Sequence, residues 1–401
     1  MSSEVPDGWD YVALSDCLSE FRNGYTYDAR ATNGTLPITR IETISNGEID
    51  YERVGYVLPD ERLDAFRIQK NDILFSHINS VEHIAKVAIK SDDSPLHHGM
   101  NLMKLRPNER VEPGFLFARL QSDATRNHFR ATCKRAVNQA SLNKPEIGGY
   151  RFPLPPLDEQ RRIAKVLRSV DEAIAAADDA RKQADATLVT ISDEVFTSAL
   201  SEGASAWQKA HLEEMLDKII DYRGVPPPKA DGGVPLLTAK NVRFGYLDFE
   251  PREFIAECDY DRWMRRGLPK PGDIMFTTEA PLGNVAEFPS IKAALGQRTL
   301  TLVPDAKRLD AKFLKWLLLS KPAQDLIWSH ATGSTAKGIK QRTFRKLIFG
   351  FPALDEQRRI SSLLEEVATA RDHAKGCIDD YEVMKVALMS DLLSGRVRVP
   401  A

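Results

Sequence analysis

Leu154-Pro155-Pro156-Leu157-Asp158-Glu159-Gln160-Arg161-Arg162-Ile163 returns 197 positions later as Phe351-Pro352-Ala353-Leu354-Asp355-Glu356-Gln357-Arg358-Arg359-Ile360. Leu-Asp-Glu-Gln-Arg-Arg-Ile is identical in both copies, and seven residues in phase do not recur by chance in a chain of 401. An internal repeat of this kind decides the architecture before any single residue does. Each copy reads as the start of a long helix. The prolines hold the preceding backbone extended. Asp-Glu then falls in the first turn, where carboxylates suit the positive end of the helix dipole. A heptad register follows. In the first copy the apolar seam is Ile163, Leu167, Val170, Ile174, Ala177, Ala184, Leu188, Ile191 and Val195, interrupted by Arg181. In the second it is Ile360, Leu364, Val367, Ala374, Ile378, Tyr381, Leu388 and Leu392, interrupted by Arg371 and Lys385. Seams this long predict coiled-coil helices of ~40 residues, ~60 Å at 1.5 Å per residue.

The repeat extends beyond the helices. At an offset of 198, Trp9 matches Trp207, Leu14 matches Leu212, Pro37 matches Pro235 and Gly47 matches Gly245. Asp72-Ile73-Leu74-Phe75-Ser76 matches Asp273-Ile274-Met275-Phe276-Thr277 at an offset of 201. The chain therefore reads as lobe, long helix, lobe, long helix: a lobe over 1–152, a helix over 153–200, a second lobe over 201–350 and a second helix over 351–401. Asp72 to Ser76, Lys86 to Ile89, Asn101 to Leu105, Asp273 to Thr277 and Thr299 to Val303 read as strands. Phe115 to Ala131 and Ala311 to Ile327 read as helices. The fold class is thus mixed α/β (α+β) lobes in two tandem copies, joined by two long antiparallel coiled-coil helices. Ser201 to Ala206 reads as a hinge between halves.

Composition narrows the function. An apolar fraction of 42% supports real cores, and a length of 401 suits two or three domains. Met1 to Asp10 is polar and acidic, without a signal peptide's apolar centre, and no run approaches the ~18 apolar residues of a membrane span. Cys17, Cys133, Cys258 and Cys377 are scattered, as expected of a reducing, cytoplasmic setting without a zinc site. The net charge of −2 means that any nucleic-acid binding must rest on local patches.

Such patches exist. Positions 124–145 contain no Asp or Glu but hold Arg126, Arg130, Lys134, Arg135 and Lys144, with Asn138, Gln139, Ser141 and Asn143 between them. Positions 326–354 are also free of acid and hold Lys337, Lys340, Arg342, Arg345 and Lys346, with Thr335 and Gln341 between them. Each tract ends just before a copy of the repeated motif. The first long helix is acidic by contrast, with ten Asp/Glu against six Lys/Arg across 158–202. Basic tracts carrying amides and hydroxyls suit duplex DNA: Arg and Lys hold phosphates or read guanine, and Asn or Gln can pair with adenine. Catalytic patterns are missing. Gly333 to Ile339 imitates a phosphate loop, but Ile339 stands where lysine is required. There is no HExxH and no Gly-x-Ser-x-Gly elbow. The Asp-Glu pairs at 158–159 and 355–356 are explained by helix capping. The chain reads as a scaffold that recognises something.

The whole pattern resembles the specificity subunit of type I restriction-modification systems. The resemblance rests on Pro153 to Ile163 and its echo at 352–360, and on the Asn138-Gln139-Ala140-Ser141-Leu142-Asn143 and Gly333 to Ile339 segments leading into them. Pro352-Ala353 in place of a double proline is a mild departure. The resemblance implies two target-recognition domains, each reading half of a bipartite double-stranded DNA site, with the helices setting the distance between halves. It implies docking of two adenine-N6 methyltransferase subunits at the motif, around Leu157, Glu159, Gln160, Ile163, Leu354, Glu356, Gln357 and Ile360, and of restriction subunits in the larger complex. The chain itself then carries no cofactor. S-adenosylmethionine would sit on the methyltransferase, and ATP and Mg on the restriction partner. A related system with cleavage and methylation fused on one partner, and a coiled-coil adaptor that binds no DNA, are the other classes the sequence admits.

Overall fold

A computed structural model describes residues 5–28, 34–44, 47–137, 139–200, 207–222, 226–334 and 336–400, with side chains at 198–200 excepted. The expected hinge at 201–206, and the candidate residues Asn138 and Thr335, lie outside the described residues.

The chain divides into two units, one of residues up to Ala177 together with those from Gly376, the other Asp178–Lys375. The boundaries thus fall in the middle of both long helices. Each unit is built on a four-stranded antiparallel sheet. In the first unit the order is Leu18–Asn23, Leu102–Pro107, Ile73–Ser76, Val87–Ile89. In the second it is Leu216–Asp221, Thr299–Pro304, Ile274–Thr278, Leu282–Glu287. Ile73–Ser76 is buried at every position, as its unbroken apolar run requires.

Two features escape a reading of the sequence. Asp10–Ala13 pairs antiparallel with Arg151–Leu154, and Gln208–His211 pairs likewise with Ile348–Phe351. Each lobe's first strand is thereby stitched to the strand that feeds its long helix. Pro153 is tolerated because this is a two-stranded edge. The other feature is a break where one helix was expected. Pro113–Gln121 and Asp123–Thr132 are separate helices, as are Ala311–Leu319 and Lys321–Ser329. Ser122 and Ser320 cause it. Each is extended (φ −60, ψ 145; φ −64, ψ 146) and turns its hydroxyl to cap the next helix, the competition with helical bonding typical of serine.

The long helices span Leu157–Leu200 and Leu354–Ser394. In the first unit, Ile163, Ala164 and Leu167 share a core with Leu392 and Leu393. In the second, Leu188 and Phe196 share one with Ile360, Leu364 and Ala368. The pairing is antiparallel within each unit. The charges that interrupt the seams are all ion-paired. Lys385 meets Asp171 at 2.6 Å in the first unit, and in the second Arg371 approaches Asp185 at 3.9 Å while Arg181 bonds Asp178 and Asp185 on its own helix. The second helix ends at Gly395, whose φ of +72 suits glycine. A Cβ there would lie 2.4 Å from Pro6.

Candidate functional site

Each basic tract carries one exposed loop. In the first, Lys134–Ala136 pairs with Gln139–Ser141, which pairs in turn with Ile78–Asn79. Val137, at the turn, is 94% exposed. Lys134, Arg135 and Gln139 are exposed. Arg126 and Arg130 stand one turn apart on Asp123–Thr132, and Arg130 donates to the Glu82 carbonyl at 2.8 Å while Arg135 donates to the Arg130 carbonyl at 3.3 Å. Ser141 is half-buried, and the Lys144 ammonium lies 5.1 Å from the centre of the Phe21 ring. Asn143 is engaged locally, at the start of the helix Lys144–Gly148. Its side chain accepts the Glu146 N–H at 2.8 Å while Glu146 accepts the Asn143 N–H at 2.8 Å, a closed capping box.

In the second unit, Thr332 and Gly338 exchange backbone bonds of 2.8 and 2.9 Å, and Gly338 bridges to Glu279. Gly333 (φ +111) makes the turn possible, since a Cβ would meet the Ala336 carbonyl oxygen at 2.2 Å. Lys337, Lys340 and Arg342 are exposed and Gln341 is half-buried. The two loops occupy like places: Ala140 sits opposite Asn79 in one, Gly338 opposite Glu279 in the other.

The root of the first loop is electrostatically unusual. The carbonyl of His77 accepts the Leu142 N–H at 2.9 Å. Burial pushes the His77 imidazole down to about 4 and that of His98 to about 3, the latter against an opposing bond to the Leu102 carbonyl. Nδ1 of each is buried without a hydrogen-bond partner among the described residues.

The repeated motif does not present the surface expected of it. Glu159, Gln160, Ile163, Gln357 and Ile360 are buried within the chain, at 4, 1, 0, 1 and 5% exposure, so they are corrected from partner contacts to internal ones. Gln160 accepts the Glu112 N–H at 2.8 Å and donates to the carbonyls of Arg110 at 3.1 Å and Pro155 at 2.8 Å. Gln357 repeats this with Asp310 N–H, Arg308 and Pro352 carbonyls, each at 2.9 Å. The same glutamine thus pins each lobe to the start of its long helix. Glu356 pairs with Arg359 at 2.7 Å on its own helix. Glu159 instead holds Trp9 Nε1 at 3.1 Å and the Arg398 guanidinium at 2.6 and 2.7 Å. Burial alone would raise the Glu159 pKa, but Arg398 and Trp9 outweigh it and hold the carboxyl below its usual value. Trp9 was marked by its repeat partner Trp207; nothing in the sequence marked Arg398. Of the candidate partner residues, Leu157, Leu354 and Glu356 stay half-exposed, flanked by exposed Asp158, Arg161, Asp355, Arg358 and Arg359.

Among the described residues no three His, Cys, Asp or Glu side chains are grouped as metal ligands, and no helix is long and apolar enough to cross a membrane.

Comparison with known proteins gives one answer. Residues 6–184 and 267–375 match the family model described as type I restriction modification DNA specificity domain. A Methanocaldococcus jannaschii protein named as the MjaX type I restriction enzyme specificity subunit is 32% identical, over 99% of this chain and 95% of that one. The Escherichia coli EcoKI specificity subunit is 23% identical over 92% of this chain and 84% of its own. Among solved structures, the type I restriction-modification S subunit from M. genitalium matches with a TM-score of 0.62 at 13% identity, over 98% of this chain and 97% of that one. A chain from a structure concerned with complex assembly and conformational transition of the type I R-M system matches at 0.57, with 20% identity and 98% and 100% coverage.

Proposed function

Since this chain belongs to the type I restriction-modification DNA specificity family, we propose that it is the non-catalytic, sequence-reading subunit of such a complex, each lobe reading one half of a bipartite duplex site. The observation that carries the proposal is the pair of acid-free loops, placed alike in the two units and exposed in both. Phosphate contacts by Lys and Arg would set register, and amides such as Gln139 would reach base edges. S-adenosylmethionine would belong to the methyltransferase partner, ATP and Mg to the restriction partner. The test is methylome mapping in cells carrying variants. Arg135→Ala, Gln139→Ala is expected to relax the first half of the target only, and Lys337→Ala, Lys340→Ala the second half only. Equal relaxation of both halves by either variant would refute two separate readers.

The long helices are proposed as a coiled-coil strut that fixes half-site spacing. Support comes from the antiparallel packing within each unit and the ion pairs Asp171–Lys385 and Asp185–Arg371. Inserting four residues after Ala199 adds about one helical turn, ~5–6 Å, or roughly one to two base pairs at ~3.4 Å each. The expected outcome is the same two half-sites with a spacer longer by about one base pair. Changed half-sites with an unchanged spacer would sink the strut.

Methyltransferase docking is assigned to the faces of the motif that remain open, at Leu157 and Leu354. A Leu157→Asp, Leu354→Asp variant is expected to keep both units folded and to lose co-purification with the methyltransferase. An undiminished complex on a sizing column would count against it.

A further inference from the structure

We propose that the second lobe carries a dedicated seat for a DNA backbone phosphate, formed by Arg342, Thr343 and Lys346 against a wall of His330 and Leu347; the assignment rests on the DNA-reading function proposed above. These five residues line an open recess of about 390 Å³.

Its chemistry is one-sided. Arg342 and Lys346 are exposed and four positions apart, across the short helix Gln341–Phe344 and the turn that follows it. Like charges at this spacing repel and cost stability. Neither head group has an ion pair or hydrogen bond among the described residues. Arg345, between them, is engaged elsewhere, on Glu213 at 2.9 Å. The acid-free stretch 326–354 supplies no local counter-charge. The imidazole of His330 is anchored, not free. Its Nδ1 lies 3.0 Å from the Leu326 carbonyl and 3.1 Å from the Ser329 hydroxyl. An unpaired guanidinium and an unpaired ammonium, with a hydroxyl able to donate beside them, give the recess two positive charges and no anion. A phosphodiester supplies two unesterified oxygens for such a set, with Arg able to engage both and Lys acting as a point charge.

The equivalent place in the first lobe has no such seat among the described residues. Aligning the residues that precede the two short helices, Asn143 with Lys340, puts Pro145, Glu146 and Gly149 where Arg342, Thr343 and Lys346 stand. Lys134 there already faces Glu146 at 3.6 Å. The seat is therefore a property of one half of the molecule, and it gives the two half-sites unequal shares of the electrostatic binding.

The experiment uses the complex with its methyltransferase partner and measures affinity for target and unrelated duplexes from 50 to 200 mM salt. Each phosphate contact contributes ~0.9 to the slope of log affinity against log salt. Arg342→Gln, Lys346→Gln is expected to flatten that slope by about one to two, to weaken both duplexes alike by about tenfold or more at low salt, and to leave the methylated sequence unchanged. The charge-conserving Arg342→Lys, Lys346→Arg variant should keep the slope, which separates lost charge from lost folding. An unchanged slope, or weakening confined to the target duplex, overturns the proposal. Inorganic phosphate provides the second arm. A phosphate-dependent rise in melting temperature that the Gln variant abolishes, alongside an unchanged DNA slope, would assign the recess to a free anion and also overturn it. A wild-type complex that ignores duplex DNA altogether would fail at the underlying function, before the seat is questioned.

Discussion

Between pH 6.5 and pH 5 the first unit is expected to lose about 2 kcal/mol of stability for each of two histidines, while the second unit holds. The folded pKa values of His77 and His98, about 4 and about 3, lie below the ordinary 6.5 because burial disfavours the charged ring. The unfolded chain therefore binds protons in this window that the folded unit refuses, so stability falls as pH falls through 6.5. The charges acting on His98, those of Lys104, Arg22 and His77, push its pKa the same way as burial does. The second unit's His211, His330 and His373 are half-buried or exposed. Its buried Asp273, raised by desolvation, responds in the opposite sense and gains stability on protonation. Carboxylates held low by partners, such as Glu159, matter only below about their ordinary 4.5. Urea titration at pH 7 and pH 5, with each unit read by limited proteolysis, checks the difference. His77→Phe, His98→Gln should flatten the dependence in the first unit. Equal softening of both units would show that other groups dominate.

Gln160→Leu is expected to destabilise the first unit by about 3 kcal/mol, and Gln357→Leu the second unit similarly, with little cross-effect. Each glutamine satisfies one backbone N–H and two carbonyls at the joint between lobe and helix. Leucine fills the same space and leaves those groups unpaired, at ~1–3 kcal/mol for each buried one. Because the two sites share no partner, their effects should add. Denaturant midpoints of the single and double variants provide the measurement. A loss under about 1 kcal/mol in either would mean that the glutamine is incidental to the joint.

How much of this was legible in the sequence depends on what kind of atom does the work. The long helices were, because a heptad seam is written in side chains; Arg181, Arg371 and Lys385 looked like faults and proved to be ion-paired. The strands around Ile73 and Ile274 were legible from their apolar runs. The breaks at Ser122 and Ser320 were not, since serine inside a helical pattern carries no fixed meaning until its hydroxyl finds a backbone N–H. The motif misled for a related reason. Repetition shows that Gln160 and Gln357 matter, but their partners are peptide groups of Glu112, Arg110, Asp310 and Arg308, which leave no trace in residue identity. A repeated contact to its own lobe therefore looks the same as a repeated contact to another protein. Asn143 with Glu146 was readable as a capping box, and the attraction of a basic tract obscured it. The loops could be located but not resolved into base readers and phosphate holders, because that division depends on where each side chain stands relative to a groove.

The composition of the first unit has a consequence in time. Its core needs Leu392 and Leu393, and its buried Glu159 needs Arg398. The second unit is one uninterrupted stretch, Asp178–Lys375. Synthesis runs from the N-terminus, and domains fold as units when their residues emerge. The lobe made first is thus completed last. Until Leu392 and Leu393 emerge, Ile163 and Leu167 have only their first-lobe neighbours to pack against, so the first unit stays incomplete after the whole of the second has been made. Leu392, Leu393 and Arg398, far from the first lobe in sequence, are thus the residues that complete the first unit.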